Sequence, residues 1–231
     1  MLALLYDVHG NLAALEAVLA DARNRGADRW LLGGDYALFG PEPEPTVARL
    51  RELEGATWIR GNGERWTAHP ADAPDNPVVP DAIRACRAAL GEALVDELGA
   101  LPEDVVLHGT RYVHGSPLSD VESFAPDSGE EDEKLLAGAR EARIVFGHTH
   151  LPFRRRSAAG GAELVNPGSV GMPFDGDRRA AYALVGAGGE VEHRRVEYDA
   201  DASAGRLRAR WPGEQWAETV ARRIERARMD V

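Results

Sequence analysis

Four histidines, two aspartates and one asparagine lie along the first 150 residues in short, mostly glycine-flanked pieces. They are Asp7-Val-His9, Gly34-Asp35, Gly61-Asn62, His114-Gly115 and Gly147-His148-Thr149-His150. Neutral imidazole, carboxylate and one amide oxygen suit divalent transition ions such as manganese, iron or zinc better than calcium. Seven donors are too many for one tetrahedral ion, and they suffice for two ions sharing a carboxylate. Any single piece is a weak signal, because Asp-x-His does little more than point two donors the same way from an extended segment. The recurrence carries the weight.

The elements that must position these donors are legible from hydropathy. Leu2 to Tyr6 is a continuous apolar run ending at Asp7, the pattern of a strand buried on both faces. Asn11 then caps a helical pattern with Leu12, Leu15, Val18 and Leu19 on one stripe. Arg29 to Leu32 repeats the strand and ends near Asp35, and the spacing predicts two parallel neighbours. A third strand over Ala56 to Arg60 delivers Asn62, with Gly61 and Gly63 predicted to let the backbone turn sharply. Asp104 to Gly115 reads as a hairpin turning near Gly109, and Ala142 to Gly147 as a buried strand. Further strands are expected over residues 153–156, 162–165, 180–185 and 191–196. Helices are expected from Pro45 or Thr46 to Glu54, Asp81 to Ala100, Glu130 to Arg140 and Gln215 to Met229. Residues 65–80 and 116–133 lack a period and read as lid-like or binding loops in a single domain spanning 1–231.

In this order the five pieces resemble the motifs of the calcineurin-like metallophosphoesterase superfamily. Gly-Asp-Tyr-Ala-Leu-Phe-Gly-Pro after the second strand and Asn166-Pro-Gly-Ser-Val-Gly171 are similar to its small bacterial phosphodiesterase branch. The resemblance implies an α/β fold of four layers, two mixed β-sheets packed face to face and flanked by helices. It implies that Asp7, His9 and His150 hold one ion, that Asn62, His114 and His148 hold a second, and that Asp35 bridges them. Mn²⁺ is the first expectation, with iron, zinc, nickel or cobalt as alternatives. Attack on phosphorus by a metal-bridging hydroxide would then involve Asp7, Asp35, Asn62 and His148.

Two departures from the family pattern stand out. Its third motif usually continues Asn-His-Glu or Asn-His-Asp, and here the histidine's place is Gly63. A general acid is worth ~10²–10⁴ in rate, so Gly63→His is expected to help poor leaving groups more than nitrophenyl esters. No second acid follows in Asp35-Tyr36-Ala37-Leu38, which tilts the expected substrate from phosphoproteins toward diesters, with monoesters hydrolysed less well. Asn11, Arg65, Arg178 and Arg179 are candidates for substrate or phosphate contact. The alternative is a catalytically weak metal-binding or interaction scaffold on the same fold.

The net charge of −11 argues against polymeric nucleic acid and anionic membranes as partners. It leaves room for a small, nucleotide-like phosphorylated substrate, because bound cations reverse the local field. Cys86 is the single cysteine, so neither an internal disulfide nor a zinc-thiolate site is available. No run approaches membrane-spanning length, and a cytoplasmic protein is expected, with homo-oligomerisation left open. His108, His69 and His193 are expected to be structural, solvated and exposed, respectively. The Asn166 loop reads as a phosphate-side loop or a plain β-turn.

Overall fold

The computed structural model describes residues 1–127 and 129–230. Ser128, inside the expected loop over 116–133, lies outside the described residues. Two mixed five-stranded sheets form the centre. The first contains β1 (Leu2–Leu5), β2 (Arg29–Leu32), β3 (Thr57–Trp58), β9 (Ala180–Val185) and β10 (Val191–Val196), in the order β10-β9-β1-β2-β3. The second contains β4 (Asp104–Leu107), β5 (Thr110–Val113), β6 (Arg143–Val145), β7 (Phe153–Arg156) and β8 (Glu163–Asn166), in the order β4-β5-β6-β8-β7. As the βαβ spacing predicts, β1 and β2 are parallel neighbours.

Period-two alternation divides each apolar run between two cores. Ala3 and Leu5 of β1, with Trp30 and Leu32 of β2, face the helices. Leu4, Tyr6 and Leu31 face the other way, meeting Tyr112, Val145 and Val165 of the second sheet. Ile144, Phe146 and Leu164 alternate outward again, under Phe124 and Leu135. A strand buried on both faces must be apolar at every position, which is why these segments read as unbroken runs. Burying a leucine such as Leu4 or Leu31 contributes about 1.5–3 kcal/mol.

The helices over the first sheet are α1 (Leu12–Asn24), α2 (Pro43–Arg51), α3 (Asn62–Ala68), α4 (Val79–Leu90), α5 (Glu92–Gly99), α7 (Ala200–Arg210) and α8 (Gln215–Arg226). Among the described residues the second sheet carries only α6 (Glu131–Leu135) and loop. The expected helix from Asp81 to Ala100 is two helices, because Gly91 takes φ 75° and breaks the ladder. The expected acidic helix to Arg140 stops at Leu135, and the third strand shrinks to two residues at the sheet edge. Helix α7 has no counterpart in the sequence reading. Its buried stripe holds just Ala200, Ser203, Ala204 and Leu207 among arginines and Gly205, too weak a period to stand out. Among the described residues no helix is long and apolar enough to cross a membrane.

Candidate metal centre

All seven expected donors follow the carboxyl ends of strands, and the two sheets present those ends to one region. The parallel ladder between β1 and β2 continues past both strands. Asp7 N–H donates to Gly34 O at 3.2 Å, His9 N–H to Asp35 O at 2.8 Å and Gly10 N–H to Tyr36 O at 2.7 Å. From the second sheet, Gly147 N–H bonds His114 O at 2.8 Å, and His148 N–H reaches across to Asp7 Oδ2 at 3.1 Å. The first two motifs therefore run in register, with the last tied to the first.

Backbone conformation completes the placement. Asp7, His9, Asp35, His148 and His150 all have φ between 46° and 65°. This left-handed region costs a non-glycine residue about 1–2 kcal/mol, and such residues persist where the surroundings over-determine them. Five of the seven donors share that strain.

Three of the imidazoles have an assignable tautomer. His9 Nδ1 lies 2.8 Å from Leu38 O, His114 Nδ1 2.8 Å from Gly33 O, and His150 Nδ1 2.5 Å from Met172 O. A carbonyl only accepts, so each Nδ1 carries the hydrogen and, in the neutral ring, each Nε2 turns a lone pair inward. His9 Nε2 and His150 Nε2 stand 3.1 Å apart. Asp7 Oδ1 is 3.5 Å from His150 Nε2 and 3.8 Å from His114 Nε2, and among the described residues this buried oxygen has no hydrogen-bond partner. Asp35 spans the same ground, with Oδ1 3.5 Å from His114 Nε2 and Oδ2 3.9 Å from His9 Nε2. Two triads result, Asp7-His9-His150 and Asp7-Asp35-His114, each with its donor atoms within 4.8 Å of one another.

Asn62 and His148 extend the second group. Asn62 Oδ1 lies 2.8 Å from His148 Nδ1 and 3.1 Å from His114 Nε2. An amide oxygen against these two ring nitrogens needs a ring N–H, an inverted amide or a cation. The rest of the site favours the cation, because an orphaned carboxylate oxygen and facing lone pairs are the donor set of a divalent ion. The donor chemistry fits metal.

The ion-free electrostatics agree. Burial and the neighbouring carboxylates of Glu64 and Asp7 push Asp35 up to about 7, against the opposing pull of His114. Burial, with His150 beside it, presses His9 down to about 3; burial and His114 hold His148 at about 4. Burial would lift Asp7, yet the imidazoles of His150, His114 and His9 outweigh it and hold the carboxyl below its usual range. Burial would lower His114 as well, yet the carboxylates of Asp35 and Asp7 outweigh it and raise that imidazole. The ion-free cluster therefore keeps protons that a cation would displace, the deprotonated ring being the ligating form.

Sequence reasoning missed the residues that hold these loops together. Glu64 is buried, and its carboxylate accepts the N–H groups of Asp35, Tyr36 and Gly61, each at 2.8 Å. The expected sharp turn around Asn62 is instead the start of α3. Gly61 is extended (φ −103°, ψ −175°), and Glu64 bonds back to its N–H in the manner of a capping box. Glu64 stands where the family's third motif carries its acid, a signal the sequence contained. The Asn166 loop is a staple. Asn166 Nδ2 donates to Gly147 O and Thr149 Oγ1, both at 3.0 Å, and Ser169 Oγ donates to Asp7 O at 2.8 Å. His193, expected to be exposed, is half-buried and donates from Nε2 to Asn166 O at 2.8 Å.

The candidate substrate contacts separate. Arg65 lines the cleft beside the donors, but Asp120 grips it at 2.7 Å through Nε and Nη2, and Asp72 lies 3.4 Å from Nη1. Arg178 pairs with Asp201 at 2.7 Å on the surface, and Arg179 with Asp177. Asn11 caps α1 by accepting Ala14 N–H at 3.3 Å, and its amide donates to Gly171 O at 2.9 Å.

Gly63 N–H donates to Asp35 Oδ1 at 2.7 Å, and a Cβ at position 63 would stand 2.8 Å from that oxygen. The contact reverses the gain expected of a histidine there. Gly63→His should lower turnover of every ester, by roughly 10-fold, the scale of disturbing a ligand's hydrogen-bonded support. Gly63→Ala, which adds the same Cβ, should lose about as much; a selective gain for poor leaving groups with histidine would show that Asp35 yields.

The donors open onto a cleft of about 930 Å³ lined by His9, Asp35, Asn62, His148 and His150 on its floor. A metallophosphoesterase from Sphaerobacter thermophilus has a similar structure, with a TM-score of 0.83 and 27% identity over 98% of this chain and 99% of that one. A hypothetical protein of Pyrococcus horikoshii OT3, PH1004, shares the fold at a TM-score of 0.82 and 21% identity, covering 95% and 98%. An uncharacterised protein of Methanocaldococcus jannaschii, MJ0912, is 27% identical over 219 residues, 86% of this chain and 88% of its own length. The family model for the calcineurin-like phosphoesterase superfamily domain matches residues 1–188. With that match over most of its length, and with the motif donors gathered at one cleft, the chain belongs to the calcineurin-like phosphoesterase superfamily.

Proposed function

We propose that this protein is a metal-dependent phosphoesterase that uses two divalent ions, manganese first among them, and prefers diesters to monoesters. Asp7, His9 and His150 would hold one ion, Asn62, His114 and His148 the other, with Asp35 between them. Ions bound there would supply Lewis acidity toward phosphoryl oxygens and lower the pKa of a water toward neutrality. The chain's own contribution is preorganisation. The carbonyls of Leu38, Gly33 and Met172 fix three imidazoles with Nε2 inward, so no reorientation is needed when substrate arrives. His148 is only partly buried and borders the cleft, where it can face the phosphoryl group. The observation that carries the reading is the buried Asp7 Oδ1, without a hydrogen-bond partner among the described residues, facing the Nε2 atoms of His114 and His150. The diester preference rests on Gly63 and on the missing second acid after Asp35.

Stripping the protein with a chelator should abolish hydrolysis of bis(p-nitrophenyl) phosphate, and Mn²⁺ should restore it. The restored kcat/KM should exceed that for p-nitrophenyl phosphate. His148→Ala should lose about 10²-fold or more in kcat, the usual cost of removing one group that stabilises developing charge. Activity indifferent to chelation, or a metal-loaded protein that cleaves neither ester, would overturn the proposal.

A further inference from the structure

The cleft is far larger than a phosphate requires. About 930 Å³ lies in the range that encloses an entire drug-sized ligand. Away from the donors its walls are mainly apolar, with Phe39, Trp66, Val78, Met172 and Phe174 among them. Phe174 stacks on the His150 ring, centroids 4.3 Å apart and planes 14° from parallel, so an aromatic wall begins beside the metal-ligand cluster. Val121 and Met229, two of the five large hydrophobic residues exposed among the described residues, also line the cleft. A flat, apolar ester group fits such walls.

Two cations line the same cleft and differ in their commitments. Arg65 is engaged by Asp120 and Asp72. Arg223, on α8, donates from Nε to Met229 O at 3.1 Å, and among the described residues its terminal nitrogens meet no carboxylate. Of the acids lining the cleft, Asp35 belongs to the metal-ligand cluster and Asp72 to Arg65. Burial alone holds the Arg223 guanidinium below the ordinary arginine value. An under-solvated charge without a counter-charge is costly, and a planar guanidinium is shaped to take a carboxylate or phosphate in two parallel hydrogen bonds. Arg223 lies on α8, beyond residue 188, where the family match ends.

Resting on the phosphoesterase reading above, we propose that Arg223 anchors a second anionic group on the substrate. The substrate class is an organic phosphoester whose reacting phosphate sits at the metal-ligand cluster, whose flat apolar body lies along Phe39, Trp66 and Phe174, and whose far end bears a carboxylate or phosphate for Arg223.

The test uses two diesters with one leaving group: p-nitrophenyl phenyl phosphate and the same ester with a carboxylate para on the phenyl ring. The Mn²⁺-loaded wild type should prefer the carboxylated ester by about 10-fold or more in kcat/KM, mainly through KM, as befits a hydrogen-bonded charge. Arg223→Gln should bring that preference close to one, and Arg223→Lys should recover part of it. In parallel, calorimetry compares benzylphosphonate with its para-carboxylate as unreactive ligands. The carboxylate should bind about 10-fold tighter to the wild type, and the advantage should vanish in Arg223→Gln. Turnover with no Arg223-dependent preference, or equal binding or no binding of the two phosphonates, overturns the anchor. Arg223-dependent binding without any turnover would sink the phosphoesterase reading and leave the anchor standing.

Discussion

Asp35→Asn is expected to lower phosphodiester turnover by about 10³-fold, the upper scale for deleting one preorganised electrostatic group. The asparagine keeps the shape but removes the charge, and it can turn an NH₂ toward the cluster. Asp35 is the carboxylate that spans the two donor groups, with one oxygen toward His114 and the other toward His9. Its Oδ1 already takes the Gly63 N–H at 2.7 Å, so an amide nitrogen on that side would face a donor. Metal content by elemental analysis separates two routes to the loss. Fewer ions per chain would assign it to binding, and a full complement would assign it to the chemical step. A variant retaining more than about a tenth of wild-type kcat would rule out the bridging position proposed for Asp35, since a charge between two cations would be worth more than a single hydrogen bond.

The second large effect belongs to Glu64, which touches no expected ligand atom. Its carboxylate accepts three backbone N–H groups from two loops, those of Asp35, Tyr36 and Gly61. Glu64→Ala leaves all three buried donors without an acceptor. At about 1–3 kcal/mol for each unsatisfied group, less than additive, the loss should total about 4 kcal/mol. For a chain of 231 residues that corresponds to a Tm lower by about 10 °C. Glu64→Gln should lose about half as much, because one of its two terminal atoms becomes a donor aimed at a donor. Thermal unfolding of the chelated protein reads this term without contribution from metal. A variant melting within about 2 °C of wild type would mean that water or a shifted loop serves these amides. The metal affinity of Glu64→Gln should also fall about 10-fold, since Asp35 is carried by the backbone that Glu64 holds.

Some of this was open to inspection in the linear chain because its causes are local. A strand buried on two faces has to be apolar where it is buried, so the runs from Leu2 to Tyr6, Trp30 to Leu32 and Ile144 to Phe146 announced themselves. Donor type and order along the chain are properties of the sequence alone, and with them came the metal chemistry and the family. The N-cap at Asn11 and the hairpin at Gly109 are decided by neighbours a few residues away.

What required the folded chain depends on partners distant in sequence. The ring orientation of His114 is set by Gly33, 81 residues away, and the His148 backbone is tied to Asp7 across 141. The left-handed conformations of five donors are imposed by ladders and staples on both sides, against the intrinsic preference of each residue. Arg65 was a fair candidate for phosphate until Asp120, 55 residues on, claimed its guanidinium. Arg223 drew no notice in a helix rich in arginine, and only the packing of α8 brings it to the cleft. Composition and spacing established which chemistry this protein can hold. Tertiary packing alone decided which charges stay free to meet a substrate, because whether a side chain is paired depends on what the rest of the chain brings within reach of it.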